Sequence, residues 1–143
     1  MMILFDVNVL IYATSRREED YGRYQAWLEG ELSGSSAFGV SELVLSSYLR
    51  IVTNRRIFET ASSPEAALEV TGNILSRPNC VVIRPGARHW EIFAGLVRQA
   101  KARGNLVADA YLAALAIESG SEWITTDRDF ARFPGLRWRH PLE

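Results

Sequence analysis

The chain has 143 residues, of which 48% are hydrophobic, and its formal net charge is −1. This length suits one domain spanning residues 1–143, no apolar stretch is long enough to cross a bilayer, and the near-neutral charge points to no class of partner. The single cysteine, Cys80, excludes an internal disulfide, and the N-terminus has no basic leader, so we expect a cytoplasmic protein.

The first half of the chain alternates short apolar runs with segments in which apolar residues recur at helical spacing. Ser41 and Ser63 are typical helix N-caps, and Pro64 follows the second of them at the first helical position. The predicted elements are strands at 3–6 and 37–40 and helices at 20–32, 42–53 and 64–75.

The second half continues this alternation, with Gly104 and Gly120 as helix stops and Asn105 near the cap of the last long helix. The predicted elements are strands at 80–83, 123–126 and 136–138, helices at 87–103 and 105–118, and a helical turn at 130–133. Strands separated by helices predict an α/β fold with a mainly parallel central sheet.

In a parallel sheet, ligands bind beyond the carboxyl ends of the strands. Asp6 and Asp127 each lie at such an end, so we expect both at the functional edge. Asp109 lies inside a predicted helix among small residues, with Asn105 four positions earlier on the same face. Buried carboxylates are costly unless they are paired, hydrogen-bonded or bound to a cation, so a shared divalent cation is the simplest interpretation.

Each acidic position also has a plainer interpretation, which for Asp109 is a solvated side chain on the exposed face of its helix. Asp6 can cap the following helix, although Asn8 adds a second oxygen donor two residues later. Glu42, directly after Ser41, also fits the positive end of a helix dipole. Of Asp127 and Asp129, one is expected to cap the short helix and the other to enter the site, and Asp127 is favoured because it is nearer the strand end.

The cation is predicted to be Mg²⁺ or Mn²⁺. The two histidines are His89, directly before Trp90, and His140, two residues after Trp138, and they lack the spacing of a zinc site. The remaining candidate ligands are carboxylates and other hard oxygen donors, which suit these two ions.

These acids stand in sequence motifs that resemble those of the PIN-domain nucleases, and most closely the VapC-type toxins of bacterial toxin–antitoxin pairs. The motifs are Phe5-Asp6-Val7-Asn8-Val9-Leu10, Ser41-Glu42-Leu43, Asn105-Leu106-Val107-Ala108-Asp109-Ala110, Thr125-Thr126-Asp127-Arg128-Asp129-Phe130 and the ending Gly135-Leu136-Arg137-Trp138-Arg139-His140-Pro141-Leu142. The resemblance covers the whole chain and implies a three-layer α/β/α sandwich.

The resemblance also implies an endoribonuclease that depends on Mg²⁺ or Mn²⁺, forms a homodimer and is inhibited by a VapB-like antitoxin. By match of motif, Asp6 and Asp109 would be the principal metal ligands, and Glu42 and Asp127 would complete the catalytic set. The supporting positions would be Asn8, Ser41, Asn105, Thr125 and Asp129.

RNA would lie along arginines near the site, since arginine binds phosphate with two N–H groups and stacks on bases. The chain has 15 arginines and one lysine, a bias that a GC-rich genome would also produce. The candidates for RNA contact are Arg16, Arg17, Arg50, Arg55 and Arg56.

Two rival functions remain open. An aspartate-nucleophile phosphatase would also end its first strand with Asp6, but it would carry a second aspartate where this chain has Asn8. A catalytically inactive PIN-like module would act through protein contacts alone. For the homodimer, the candidate surface residues are Tyr21, Tyr24, Trp27, Tyr48 and Leu49.

Overall fold

Five strands form one sheet in the computed structural model, which describes residues 1–143. They are β1 (Ile3–Phe5), β2 (Phe38–Val40), β3 (Cys80–Val82), β4 (Glu122–Ile124) and β5 (Trp138–Arg139), in the spatial order β3-β2-β1-β4-β5. Every neighbouring pair is parallel. The prediction of a mainly parallel sheet is therefore confirmed, and all five carboxyl ends meet at one edge, which we call the carboxyl edge.

Six helices cover the two faces of this sheet. They are α1 (Val7–Thr14), α2 (Tyr21–Ser33), α3 (Glu42–Val52), α4 (Pro64–Leu75), α5 (His89–Ala100) and α6 (Asn105–Ser119). Right-handed crossovers place α1 to α4 on one face and α5 with α6 on the other. The helix contacts agree, because α1 packs on α2 and α3, α3 packs on α4, and α5 packs on α6. This is the three-layer α/β/α sandwich that the resemblance implied.

The helix α1 is absent from the sequence prediction. Val7, Val9, Ile11 and Tyr12 favour strands by intrinsic preference, so no helix is evident from the pattern. In the structure Asp6 adopts an extended backbone and its Oδ1 accepts the N–H of Val7 at 2.7 Å, which starts the helix directly after β1. A side-chain cap and burial of one helix face thus override local preference.

Smaller differences concern element ends. The N-cap of α6 is Gly104, at φ 57°, and Asn105 is the first helical residue. The short helical turn is a 3₁₀ helix that begins at Arg128, two residues earlier than predicted. The last strand lies at Trp138–Arg139 because Thr125 donates its N–H to the Arg139 carbonyl at 3.1 Å and extends the pairing.

The core fills both sides of the sheet. Helix α6 buries four alanines, and their small size lets it approach the sheet closely; these are Ala110, Ala113, Ala114 and Ala116. Tyr24 and Tyr48 are also in this core, 6% and 2% exposed, so the prediction that they form a dimer surface is wrong. No helix combines the length and the apolar character that a membrane crossing requires.

Candidate active site

Asp6 lies at the carboxyl end of β1 and is only 5% exposed. Its Oδ1 accepts the N–H of Val7, and its Oδ2 accepts the Thr125 hydroxyl at 2.8 Å and the Asn8 amide at 3.2 Å. The expected capping interaction of Asp6 is therefore present, and the same carboxylate lies at the carboxyl edge.

Thr125 organises this end of the sheet. Its fully buried hydroxyl donates to Asp6 and accepts from the Asp127 backbone N–H at 3.0 Å and from the Asn8 side chain at 3.2 Å. Asn8 in turn accepts the N–H of Thr126 at 3.2 Å. A hydroxyl offers one donor and two acceptor positions, so all three are used. This network fixes β1 and β4 together and orients Asp6.

The pKa values of Asp6 and Asp109 are both raised, in part by the charges of neighbouring acids. The pKa of Asp6 is raised to about 6, because burial and, to a lesser extent, the charge of Asp127 outweigh the opposing hydrogen bonds from Thr125, Val7 and Asn8. Burial, followed by the charges of Asp127, Asp6 and Asp129, raises the pKa of Asp109 to about 6. The structure thus brings these acids into one cluster at the carboxyl edge.

Asp127 has two roles in the structure. Its Oδ1 caps the 3₁₀ helix by accepting the N–H of Asp129 at 2.9 Å, and its charge acts on both Asp6 and Asp109. The charge of Asp129 contributes to the raised pKa of Asp109 only. Its largely exposed carboxylate lies 3.9 Å from the Arg132 guanidinium. The cap is therefore made by Asp127, the acid that the sequence analysis favoured for the site, and the assignment of a site role to either acid stays a prediction.

Glu42 follows β2 at the same edge, yet the structure does not bring its carboxylate into the cluster. Its Oε1 accepts the Nε–H of Arg84 at 3.0 Å, and it is absent from the charges that act on Asp6 and Asp109. Ser41 occupies the N-cap position of α3 and is buried, but its hydroxyl caps no backbone N–H. Arg84 is missing from the sequence prediction, although its place directly after the strand 80–83 was a usable signal.

Asn105 is exposed at the start of α6, one turn before Asp109. None of the five arginines predicted to contact RNA forms an ion pair with an acid of the cluster. Arg16 and Arg17 follow α1, where Arg17 lies 3.5 Å from Glu59. Arg50 lies in the last turn of α3, and Arg55 and Arg56 lie in the turn that follows the helix.

The donor set fits a hard divalent cation. Asp6, Asp109 and Asp127 form no ion pair with arginine, lysine or histidine, so the cluster has negative charge without an internal counterion. No three acidic, histidine or cysteine side chains are yet close enough together to hold a metal ion. Binding would therefore draw the carboxylates inward.

A cavity of about 390 Å³ lies at the other end of α1, between α1, α3 and α4. We call it the α1–α3–α4 groove. Its apolar lining residues are Ile11, Tyr48, Val52, Phe58, Ala66, Ala67 and Val70. Arg16 and Arg17 lie on its rim. Because α1 has eight residues, the end of the groove at Thr14 is about 12 Å from Asp6 along the helix.

The chain is similar to known proteins in sequence and in fold. The PIN domain family model matches residues 3–136. Ribonuclease VapC43 of Mycobacterium tuberculosis is 42% identical over 142 residues, which cover 99% of this chain and 97% of the relative. This chain belongs to the VapC family of PIN domains. Ribonuclease VapC37 of the same organism is 36% identical over 140 residues, covering 98% and 97% of the two chains.

A solved structure shows the same fold. A chain of a toxin–antitoxin complex from Klebsiella pneumoniae aligns with a TM-score of 0.63 and 23% identity, covering 99% of this chain and 98% of the other. At this identity the likeness shows the fold alone, and the fold agrees with the α/β/α sandwich described above.

Proposed function

We propose that this chain is the ribonuclease toxin of a toxin–antitoxin pair and that it cleaves RNA with Mg²⁺ or Mn²⁺ held by Asp6, Glu42, Asp109 and Asp127. VapC43 and VapC37, its relatives over almost their whole length, are ribonucleases. The observation that carries the metal proposal is the pair Asp6 and Asp109, whose pKa values are raised to about 6 first by burial and then by the charges of acidic neighbours, with no basic residue paired to either.

The side chains have distinct roles in this proposal. Asp6 is a fixed ligand, because three hydrogen bonds hold its two oxygens. Asp109 accepts no hydrogen bond and is free to turn toward the cation. A divalent cation bound there would acidify a water molecule and neutralise charge on the phosphate. Thr125 and Asn8 keep Asp6 in place, and Asp127 adds a carboxylate from the neighbouring strand end.

RNA is the proposed substrate, and single-stranded RNA fits best because its backbone and bases are accessible to arginine. The five arginines predicted from the sequence remain candidates for contact with it. Arg84 joins them, since it lies at the carboxyl edge beside Glu42. The phosphatase alternative requires a second aspartate at position 8. This chain has Asn8 there, and its side-chain amide donates to Asp6 and Thr125.

The proposed partner is a VapB-like antitoxin with an apolar segment in the α1–α3–α4 groove. The groove combines an apolar lining with basic residues at its rim, which suits an amphipathic peptide. The Klebsiella pneumoniae structure with the same fold is a toxin–antitoxin complex, which supports such a partner. A homodimer remains part of the proposal.

A cleavage assay tests the catalytic proposal. Asp6→Asn and Asp109→Asn should each reduce Mn²⁺-dependent cleavage of single-stranded RNA by at least about a hundredfold, since each removes a ligand charge. The matched control is Asp20→Asn, because Asp20 pairs only with the surface residue Arg23 and should retain activity. Wild-type protein that is inactive with every RNA offered, yet binds the antitoxin, would favour the inactive module.

A binding assay tests the groove. Phe58→Ala should weaken antitoxin binding roughly tenfold or more, because Phe58 lines the groove and large buried aromatic contacts dominate such interfaces. Its neighbour Ile57 is 55% exposed and outside the groove, so Ile57→Ala is the matched control. Equal losses for both variants would place the antitoxin elsewhere.

A further inference from the structure

The ion pair between Glu42 and Arg84 distinguishes Glu42 from the other three acids proposed as ligands. Arg84 Nε lies 3.0 Å from Glu42 Oε1, and no other acid of that set has a basic partner. The two side chains are 66% and 58% exposed, so solvent screens the attraction. Such a pair contributes little to the stability of the fold, so Glu42 can leave Arg84 for another partner at a small cost in free energy.

Hydrogen bonds hold the backbone on both sides of Arg84. The residue before it, Ile83, donates its N–H to the Val40 carbonyl at 2.8 Å and continues the pairing of β2 with β3. Beyond it, the carboxylate of Glu118 accepts the N–H groups of Gly86 at 2.7 Å and Arg88 at 3.0 Å. The approach at Gly86 is close, since a Cβ there would lie 2.7 Å from a Glu118 oxygen. The segment around Arg84 is thus held at both ends.

Glu42 and Arg84 follow the neighbouring strands β2 and β3, and Asp6 follows β1 next to β2. Adjacent strands are about 4.8 Å apart, so Glu42 starts one strand away from Asp6. A change of side-chain rotamer would turn its carboxylate from Arg84 toward the cluster. The ion pair and membership of the cluster are therefore alternative states of the same side chain.

We propose that Arg84 competes with the divalent cation for Glu42. In the cation-free protein the guanidinium holds Glu42 to one side, and a cation that draws Glu42 inward breaks the ion pair. Arg84 is thus a positioning residue that weakens cation binding. It holds Glu42 away from the other three proposed ligands until the cation binds. This inference rests on the proposed function, because it takes Glu42 as a ligand.

Titration calorimetry with Mn²⁺ in the absence of RNA tests the competition. Arg84→Gln should bind Mn²⁺ about two- to fivefold more tightly, the range expected from removing an exposed ion pair. Arg88→Gln is the matched control, because Arg88 is an exposed arginine four residues later that makes no ion pair. It removes the same charge from the same segment and should leave the affinity close to that of the wild type.

A double variant separates competition from a general effect of charge. In a Glu42→Gln background, Arg84→Gln should give no further gain, since the contested carboxylate is gone. An unchanged Mn²⁺ affinity in Arg84→Gln, or an equal gain in Arg88→Gln or in the Glu42→Gln background, would overturn the inference. If Glu42→Gln alone leaves Mn²⁺ binding unchanged, Glu42 is not a ligand and that part of the proposed function fails as well.

Discussion

Thr125 and Asp6, on the adjacent strands β4 and β1, are joined by a 2.8 Å hydrogen bond in which the threonine hydroxyl donates to the carboxylate. The same hydroxyl accepts the N–H of Asp127. One buried side chain therefore sets the position of two acids that come from opposite ends of the chain, and the loss of that hydroxyl should affect both.

We predict that Thr125→Val lowers activity and stability, whereas Thr125→Ser retains most of both. Valine keeps the shape of threonine but leaves the Asp127 N–H without its partner and removes one of the two hydrogen bonds to Asp6 Oδ2, at a cost of about 1–3 kcal/mol. Because the Thr125 hydrogen bond lowers the pKa of Asp6, its removal raises that pKa further. The acid limb of the pH–activity profile should move to higher pH in Thr125→Val, and an unmoved limb would contradict this role.

The raised pKa of Asp6 predicts how the cation-free protein responds to pH. The folded-state pKa is about 6 against 3.8 for the free side chain, so the folded state holds the proton more tightly. Stability from this group is full below pH 3.8, declines as pH rises through the window to about 6, and is lost above it. The change is on the order of 2–3 kcal/mol.

Urea denaturation in EDTA measures this effect as the difference between wild type and Asp6→Asn. The wild type should lose stability relative to the variant between pH 4.5 and pH 7.5, because asparagine does not titrate in this range. Mg²⁺ at pH 7.5 should stabilise the wild type more than the variant, since ligands stabilise the state that binds them. Parallel pH curves for the two proteins would show that Asp6 titrates normally.

The sequence placed most of the acidic edge correctly for a geometric reason. Strand ends are visible in the chain as apolar runs that stop at a polar residue, and parallel strands bring those ends together. Asp6 and Asp127 could be placed in this way. Asp109 could be placed because aspartate is unfavourable inside a helix, so its presence among alanines indicates a role other than helix formation.

The remaining features depend on partners that are distant in sequence. Arg84 is 42 residues from Glu42, and no local pattern reveals which rotamer an exposed carboxylate adopts. Tyr24 and Tyr48 belong to the apolar faces of two different helices, α2 and α3. The sequence pattern identifies such a face but not the surface that covers it. Tyr48 is instead buried in the core, with its hydroxyl 2.9 Å from that of Thr14 on α1.

We predict that the purified protein is a homodimer. An isologous twofold contact is the commonest assembly of soluble proteins, and half-buried Tyr21, Trp27 and Leu49 remain candidates for it. Light scattering at micromolar concentration without antitoxin should give about 32 kDa, twice the 16.1 kDa of one chain. A mass near that of one chain would exclude the dimer under these conditions.

Antitoxin binding and Mg²⁺ binding should weaken each other. A peptide segment at the Thr14 end of the α1–α3–α4 groove lies about 12 Å from Asp6 along α1, a distance that two or three further turns of a helical peptide would span. A basic side chain on that peptide would then pair with the acidic cluster, which has no internal counterion. Peptide and cation would compete for the same negative charge.

Titration calorimetry of the antitoxin at low and high Mg²⁺ measures this coupling. High Mg²⁺ should lower antitoxin affinity by the same factor by which bound antitoxin lowers Mg²⁺ affinity, since coupling between two sites is reciprocal. The coupling should shrink in Asp109→Asn, which removes one of the shared charges, and persist in Asp20→Asn. Identical antitoxin affinities at both Mg²⁺ concentrations would mean that the peptide blocks the path of the RNA and leaves the cation site untouched.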